Sequence, residues 1–201
     1  MERSRTNIRR SQIGAITLIA LACFALQGCT RSIIAGDHET AFADTSETAT
    51  LDFWHTLPGQ SAVTNAQGFH GVLLFADGVD NTGSYEARIA ELKSRGWVVE
   101  DFDENPNMAM SRGALAKALA HAMDVKGGVM MQLTHTSPRY ATRELLYLSI
   151  LPPGTDQQVI SGLDYVGVIS KAQDYVMLRD ARNAERAMKD EPEPAPDAPS
   201  K

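Results

Sequence analysis

Between residues 64 and 175 the chain is punctuated by helix start and stop signals, and these restrict its fold more than any other feature. Thr64 or Asn65 can cap a helix carrying Phe69, Val72, Leu73 and Ala76, which ends at Asp77-Gly78. Ser84 caps a second through Ile89 and Leu92, with Gly96 as its stop. Ser111 starts a third, with Leu115, Ala118, Leu119 and Ala122 on one stripe. Pro138 stands near the start of a fourth, which includes Tyr140, Leu145, Tyr147 and Leu148 and stops at Pro152-Pro153-Gly154. Ser161 or Thr155 opens the last, which carries Tyr165, Val168, Ile169 and Ala172 and continues beyond Tyr175. Residues 127–133 form the one short strand expected. The expected fold class is all-α in the main: a small helical domain of helix-loop-helix units.

The two ends read differently. Arg3, Arg5, Arg9 and Arg10 precede an apolar run over 13–26, interrupted by Gly14 and Thr17. A basic flank, a short apolar core and small residues make the layout of a secretory signal. The run is shorter than the ~20 residues a spanning helix needs. From 30 to 50 the chain is rich in Thr, Ala, Asp and Glu and poor in large apolar side chains, as a flexible tether would be. Glu191-Pro192-Glu193-Pro194-Ala195-Pro196 cannot hold a helix or a core, so a disordered tail is expected. The expected organisation is a signal segment at 1–28, a tether at 29–50, a helical domain at 51–188 and a tail at 189–201.

Leu26-Gln27-Gly28-Cys29 resembles the lipobox of bacterial lipoproteins, in which the cysteine is acylated and becomes the new N-terminus. That resemblance implies lipidation at Cys29 and a membrane partner reached through the lipid. With Thr30 after the cysteine in place of aspartate, it implies the outer membrane, facing the periplasm. Cys23 falls inside the signal, which leaves Cys29 alone and no internal disulfide. Removing residues 1–28 takes four arginines and one glutamate from 19 basic and 25 acidic residues. This leaves 15 and 24, a formal net charge of −9. Such a balance argues against nucleic acid, whose phosphates demand clustered Lys and Arg.

Residues 85–124 are similar to one S-layer homology (SLH) module, the repeat that fixes bacterial surface proteins to cell-wall polymers. The matching residues are a helix closing at Gly96-Trp97-Val98-Val99, then Phe102, Asn105-Pro106-Asn107 and Met110-Ser111-Arg112-Gly113-Ala114-Leu115-Ala116. In the family a Thr-Arg-Ala-Glu motif opens the second helix, and its Arg lies near the polymer groove. Ser111 and Arg112 match its first two places; Gly113 and Ala114 do not match the rest. A fainter echo stands at Ala141-Thr142-Arg143-Glu144, whereas the family uses three modules around a pseudo-threefold axis. The resemblance implies a helix-loop-helix shape and contact with a cell-wall polymer.

Motifs for chemistry are sparse, and an enzyme is not expected. Asp101-Phe102-Asp103-Glu104-Asn105 opens like a calcium loop, but Pro106 and Arg112 occupy its sixth and twelfth places, where Gly and Glu are needed. Asp77, Asp80 and Asn81 are either turn and cap residues or a cation-binding turn. His38, His55, His70, His121 and His135 contain no i, i+4 pair for zinc, so neither a metal nor another cofactor is expected. Gly59-Gln60-Ser61-Ala62-Val63 lacks the last glycine of a nucleophile elbow. Arg112, Arg139 and Arg143 stand at or near helix starts, where they oppose the helix dipole. They either bind an anionic sugar or phosphate group or form an internal salt bridge, for example to Asp101, Asp103 or Glu144, that pins a loop onto a helix. Trp54, Trp97, Tyr140 and Tyr147 either line a groove or pack in the core. Three functions stand open: a non-enzymatic envelope lipoprotein that binds a wall or envelope component, a scaffold lipoprotein whose acidic tail meets a protein, and a hydrolase. The last would need a pocket joining His121 or His135 to a carboxylate and a serine.

Overall fold

A computed structural model describes residues 31–35, 42, 44–134 and 136–190. The signal segment, Cys29, His38, His135 and the tail from 191 lie outside the described residues. Among the described residues the protein is all-α, with only isolated bridges in place of strands. Seven helices follow in order: α1 (Glu47–Thr56), α2 (Asn65–Asp77), α3 (Tyr85–Ser94), α4 (Arg112–Ala122), α5 (Val129–Leu133), α6 (Pro138–Tyr147) and α7 (Gly162–Asp190), with a 3-10 turn (Leu57–Gly59) after α1. None of them is long and apolar enough to cross a membrane.

The capping chemistry sets the helix starts. Thr64 Oγ1 accepts from Gln67 N while the Gln67 side chain reaches back to Thr64 N, a reciprocal box. Ser84, Ser111 and Ser161 each accept from the backbone N–H three residues on. Gly78 closes α2 in the left-handed conformation at φ +76°, where a side chain would be strained.

Two expectations change. Residues 127–133 are not a strand: Met131 N and Gln132 N both bond to Gly128 O, and α5 forms there. A strand needs a neighbour to take its backbone groups, and this helical body offers none, so they are satisfied locally. The helical body also begins four residues before the expected boundary. Ser46 caps α1 by accepting from Ala49 N at 3.2 Å, and the apolar residues that hold the helix, such as buried Phe53, come only in its second half. At the other end α7 runs to Asp190.

The helices form three helix-loop-helix units: α1 with α2, α3 with α4, and α6 with α7. Val63, Met110 and Ile160 each stand one residue before the cap of the unit's second helix. Met110 N donates to Val63 O (2.8 Å), Val63 N to Ile160 O (3.0 Å) and Ile160 N to Met110 O (3.3 Å), which closes a ring of three bonds. All three side chains are buried. Packing follows the same rotation: α3 lies on α2, α6 on α4, and the 3-10 turn on α7. Burying such side chains contributes on the order of 1.5–3 kcal/mol each, and all three belong to one shared core.

The motif behind the ring recurs at Thr64-Asn65-Ala66-Gln67 and Ser161-Gly162-Leu163-Asp164. The segment Ala141-Thr142-Arg143-Glu144 is instead the interior of α6, a first helix of its unit.

Candidate functional site

Arg112 occupies the first helical position of α4, and its guanidinium points into the protein. Nη1 donates to Pro153 O at 3.3 Å and Nη2 to Pro152 O, leaving the residue 6 % exposed. Burial lowers its pKa, partly offset by the Asp164 charge. The partners are therefore loop carbonyls of the third unit, and not Asp101, Asp103 or Glu144. Asn65, at the equivalent position of α2, likewise donates to Glu104 Oε2 (3.0 Å) and Asn105 O (3.2 Å). Arg139 and Arg143 are exposed on α6, and Arg143 lies over the Tyr140 ring at 5.9 Å. The structure thus does not gather the three arginines into one site. Nor do the aromatics line one groove: Trp54 stacks on Tyr165, Trp97 lies under Arg95 and Tyr147 is exposed.

A different pair of nitrogen side chains faces a groove of ≈ 590 Å³ between the second and third units. Lys117 and His121 project from α4 one turn apart, on the face the i, i+4 spacing aligns. The loop after α3 adds Glu100, and the connection into α6 adds Thr134, Thr136 and Ser137. Lys117 is 6 % exposed, and its Nζ donates to Thr136 O at 3.3 Å. Thr136 holds φ +56°, an uncommon conformation for a threonine, in the turn that offers this carbonyl. Burial lowers the Lys117 pKa. Burial first, and then the Lys117 charge, lower that of His121. Nε2 of His121 is buried and has no hydrogen-bond partner. Arg139 follows the groove residue Pro138 directly in sequence.

Chemically, the groove offers two nitrogen groups that desolvation makes reluctant to carry charge and hydroxyls beside them. An anionic oxygen placed between Lys117 and His121 would relieve both. His121, Glu100 and Ser137 do line one groove, the juxtaposition a hydrolase would need. Yet no hydrogen bond joins Ser137 to His121, or His121 to Glu100, among the described residues.

Sequence reasoning also missed a buried cluster. Asp80 Oδ2 accepts from Arg88 Nε at 2.6 Å and meets His70 Nδ1 at 2.7 Å, while its Oδ1 accepts from Thr82 N and Oγ1. Burial opposes the Asp80 charge, but hydrogen bonds from His70 and Thr82 and the Arg88 charge hold its carboxyl well below the usual range. His70 is pushed down by burial more than Asp80 restores it. His70, Asp80 and Arg88 are 5 %, 2 % and 1 % exposed, which leaves no room for a substrate; the cluster ties α2 to α3. Asp77 pairs with Arg95 at 2.7 Å, so Asp77 and Asp80 do not converge on a cation. Among the described residues no three metal-ligating side chains gather. Comparison of the chain with protein-family models, curated proteins and solved structures gives no match.

Proposed function

We propose that the chain is an exported lipoprotein, held in the envelope by lipid at Cys29. Its helical domain binds an anionic cell-wall polymer in the groove of Lys117 and His121. The observation that carries this reading is the groove itself: a nine-tenths-buried lysine one helical turn from a histidine whose Nε2 has no partner. Supporting the address are the basic flank, the apolar run and Leu26-Gln27-Gly28-Cys29. The likeness to SLH modules gains support from three capped helix-loop-helix units joined by the Val63–Met110–Ile160 ring, since the family arranges three modules about a pseudo-threefold axis. Arg139, exposed beside Pro138, adds a charge at the rim, while Arg112 acts as an internal staple. The module binds and does no chemistry.

Co-sedimentation of residues 30–201 with purified cell-wall sacculi tests the reading. Lys117→Met keeps the apolar stem and removes the charge. It should weaken binding about tenfold, as the loss of one charge-assisted contact of ~1.5 kcal/mol implies. Arg139→Ala should weaken it about twofold. Binding that survives Lys117→Met and His121→Gln together would remove the groove from the account. No sedimentation of the wild-type domain would end the wall reading and turn the search to a protein partner.

A further inference from the structure

α5 is a short helical turn built with its apolar side outward. Of its residues only Met131 is buried, while Val129 is 80 %, Leu133 70 % and Met130 48 % exposed. The turn is nonetheless fixed. The Met131 side chain lies against Gly127, where a Cβ would collide with it, and Gln132 Nε2 donates to Gly127 O at 3.3 Å. Its backbone groups are met locally: Met131 N bonds to Gly128 O, Thr134 N to Met130 O and Thr136 N to Met131 O. The Thr134 hydroxyl also donates to Met130 O, at 2.8 Å. Single apolar residues scattered on a surface need no explanation, but three on one fixed turn do. A tip whose backbone is already satisfied can enter a lipid boundary without leaving polar groups unmet.

The charge around this turn differs from that of the rest of the domain. Residues 125–154 carry Lys126, Arg139 and Arg143 against one acid, Glu144, whereas the remainder of 44–190 carries ten basic and eighteen acidic residues. Glu144 Oε2 faces Gly128 N at 3.4 Å, where α5 packs on α6. Asp124, just ahead of the segment, faces the Arg179 charge on α7. Arg139, Arg143 and Tyr147 follow at i, i+4 and i+8, an exposed stripe of α6. Arginine, lysine and tyrosine beside an apolar tip suit the interface of an anionic bilayer.

We propose that α5 is a membrane-contact tip: Val129, Met130 and Leu133 enter the acyl boundary of an anionic bilayer, and Lys126, Arg139 and Arg143 meet its phosphates. Such contact reaches about 5–10 Å below the headgroups and does not span the bilayer. It does not rest on the groove reading, since lipid contact at Met130 and sacculus binding through Lys117 are read separately.

The test uses the full chain with Cys23→Ser and Cys29→Ser and one bimane label, at Met130→Cys, Asp101→Cys or Gln173→Cys, all exposed positions. Residues 13–26 are apolar enough to bring the chain to any vesicle, so the readout is which label the lipid touches. On vesicles of phosphatidylethanolamine and phosphatidylglycerol with brominated acyl chains, the label at residue 130 should be quenched and the other two should not. Val129→Asp with Leu133→Asp should abolish the quenching; both side chains are exposed, so helical circular dichroism should not change. Arg139→Gln and Arg143→Gln should each lower the inserted-to-released ratio about fivefold, and vesicles of phosphatidylcholine alone should lower it further. No quenching at residue 130, equal quenching at all three sites, or quenching that survives Val129→Asp with Leu133→Asp would overturn the tip. Quenching as strong on phosphatidylcholine would overturn the choice of an anionic surface. A label at residue 130 that shifts to the blue as the lipid-free chain is concentrated, and stays unquenched on vesicles, would overturn the proposal and assign the patch to a second copy.

Discussion

Replacing Gly162 by alanine puts a methyl group where the first and third units meet. A Cβ at this first helical position of α7 would fall within the radius of Leu57 O, with Leu57 C at 2.7 Å and Gln60 O at 3.2 Å. Every one of these atoms is backbone, so no rotamer change can give way. Ordinary carbon contacts lie near 3.5–4.0 Å, and the two segments must part by about 1 Å or more. That opening stretches the Gly162 N to Gln60 O bond of 3.0 Å and, two residues back, the Ile160 link to Val63. Overpacking costs on the order of 1–3 kcal/mol, and a buried hydrogen bond left unmade about 1–3 more. The expected loss is roughly 3–5 kcal/mol, a large part of the ~5–15 kcal/mol that holds a domain of this size. At about 3 °C per kcal/mol, Tm should fall by roughly 10–15 °C. Thermal melts and urea unfolding, both followed by far-ultraviolet circular dichroism, measure the two quantities, with two glycines as controls. At Gly68 the obstacle is the end of the Met110 side chain, which can move, so Gly68→Ala should cost about 1 kcal/mol. At Gly167 nothing lies within 4 Å, and Gly167→Ala should stabilise by up to about 1 kcal/mol. If Gly162→Ala is no worse than Gly68→Ala, the close seam between α7 and the 3-10 turn is wrong.

Two further outcomes follow from the buried charges. Arg112→Ala deprives the carbonyls of Pro152 and Pro153 of their donor and should cost about 2–3 kcal/mol. Arg139→Ala and Arg143→Ala, both exposed, should stay within about 0.5 kcal/mol by the same thermal melts; the reverse ranking would contradict the inward placement of Arg112. In acid, His70 and His121 should destabilise the fold. Both have folded pKa values lowered chiefly by burial, so the unfolded chain takes up the proton first. Their contribution is complete above about pH 6.5 and is lost as pH falls below it. Asp80, with its carboxyl held down, adds stability that persists until pH drops below about 4. The urea midpoint should therefore fall between pH 7.5 and pH 5.5 and flatten in part in His70→Gln; a midpoint that rises on acidification would refute the sign.

Much of the fold is legible in the chain because its helix starts are written in local chemistry. Thr64, Ser84, Ser111 and Pro138 act within one helical turn, and Ser161 does the same, so reading them needs no knowledge of the fold. What escaped reading is what distance creates. His70, Asp80 and Arg88 are ten and eight residues apart and meet only because the α2–α3 turn folds back. The ring needs backbone atoms of Val63, Met110 and Ile160, whose side chains share nothing but an apolar character. The repeat was hidden for the same reason: its second place is Asn65, Arg112 or Gly162, three residues with no common chemistry. Lys117 and His121 look, from sequence, like one lysine and one histidine on an ordinary helix. Only the turn at Thr136 makes them the wall of a groove.

That unlike second place bears on where binding can occur. A threefold body with three identical helix starts would offer three equal sites. Here Asn65 is spent on Glu104 and Asn105, Arg112 on Pro152 and Pro153, and Gly162 is closed by Leu57 O. Each helix start is consumed in fastening one unit to another, which is why the arginine that most resembles a ligand residue is buried. Chemistry left for a ligand must then lie further along the helices, where neighbouring units diverge. Five charged or histidine residues are buried among the described residues: His70, Asp80, Arg88, Arg112 and Lys117. The first three form one cluster, and the fourth donates to the carbonyls of Pro152 and Pro153. Lys117 lines a groove beside a histidine with an unused nitrogen. With the three helix starts closed by contacts between units, the groove beside Lys117 and His121 is where the proposed binding is tested.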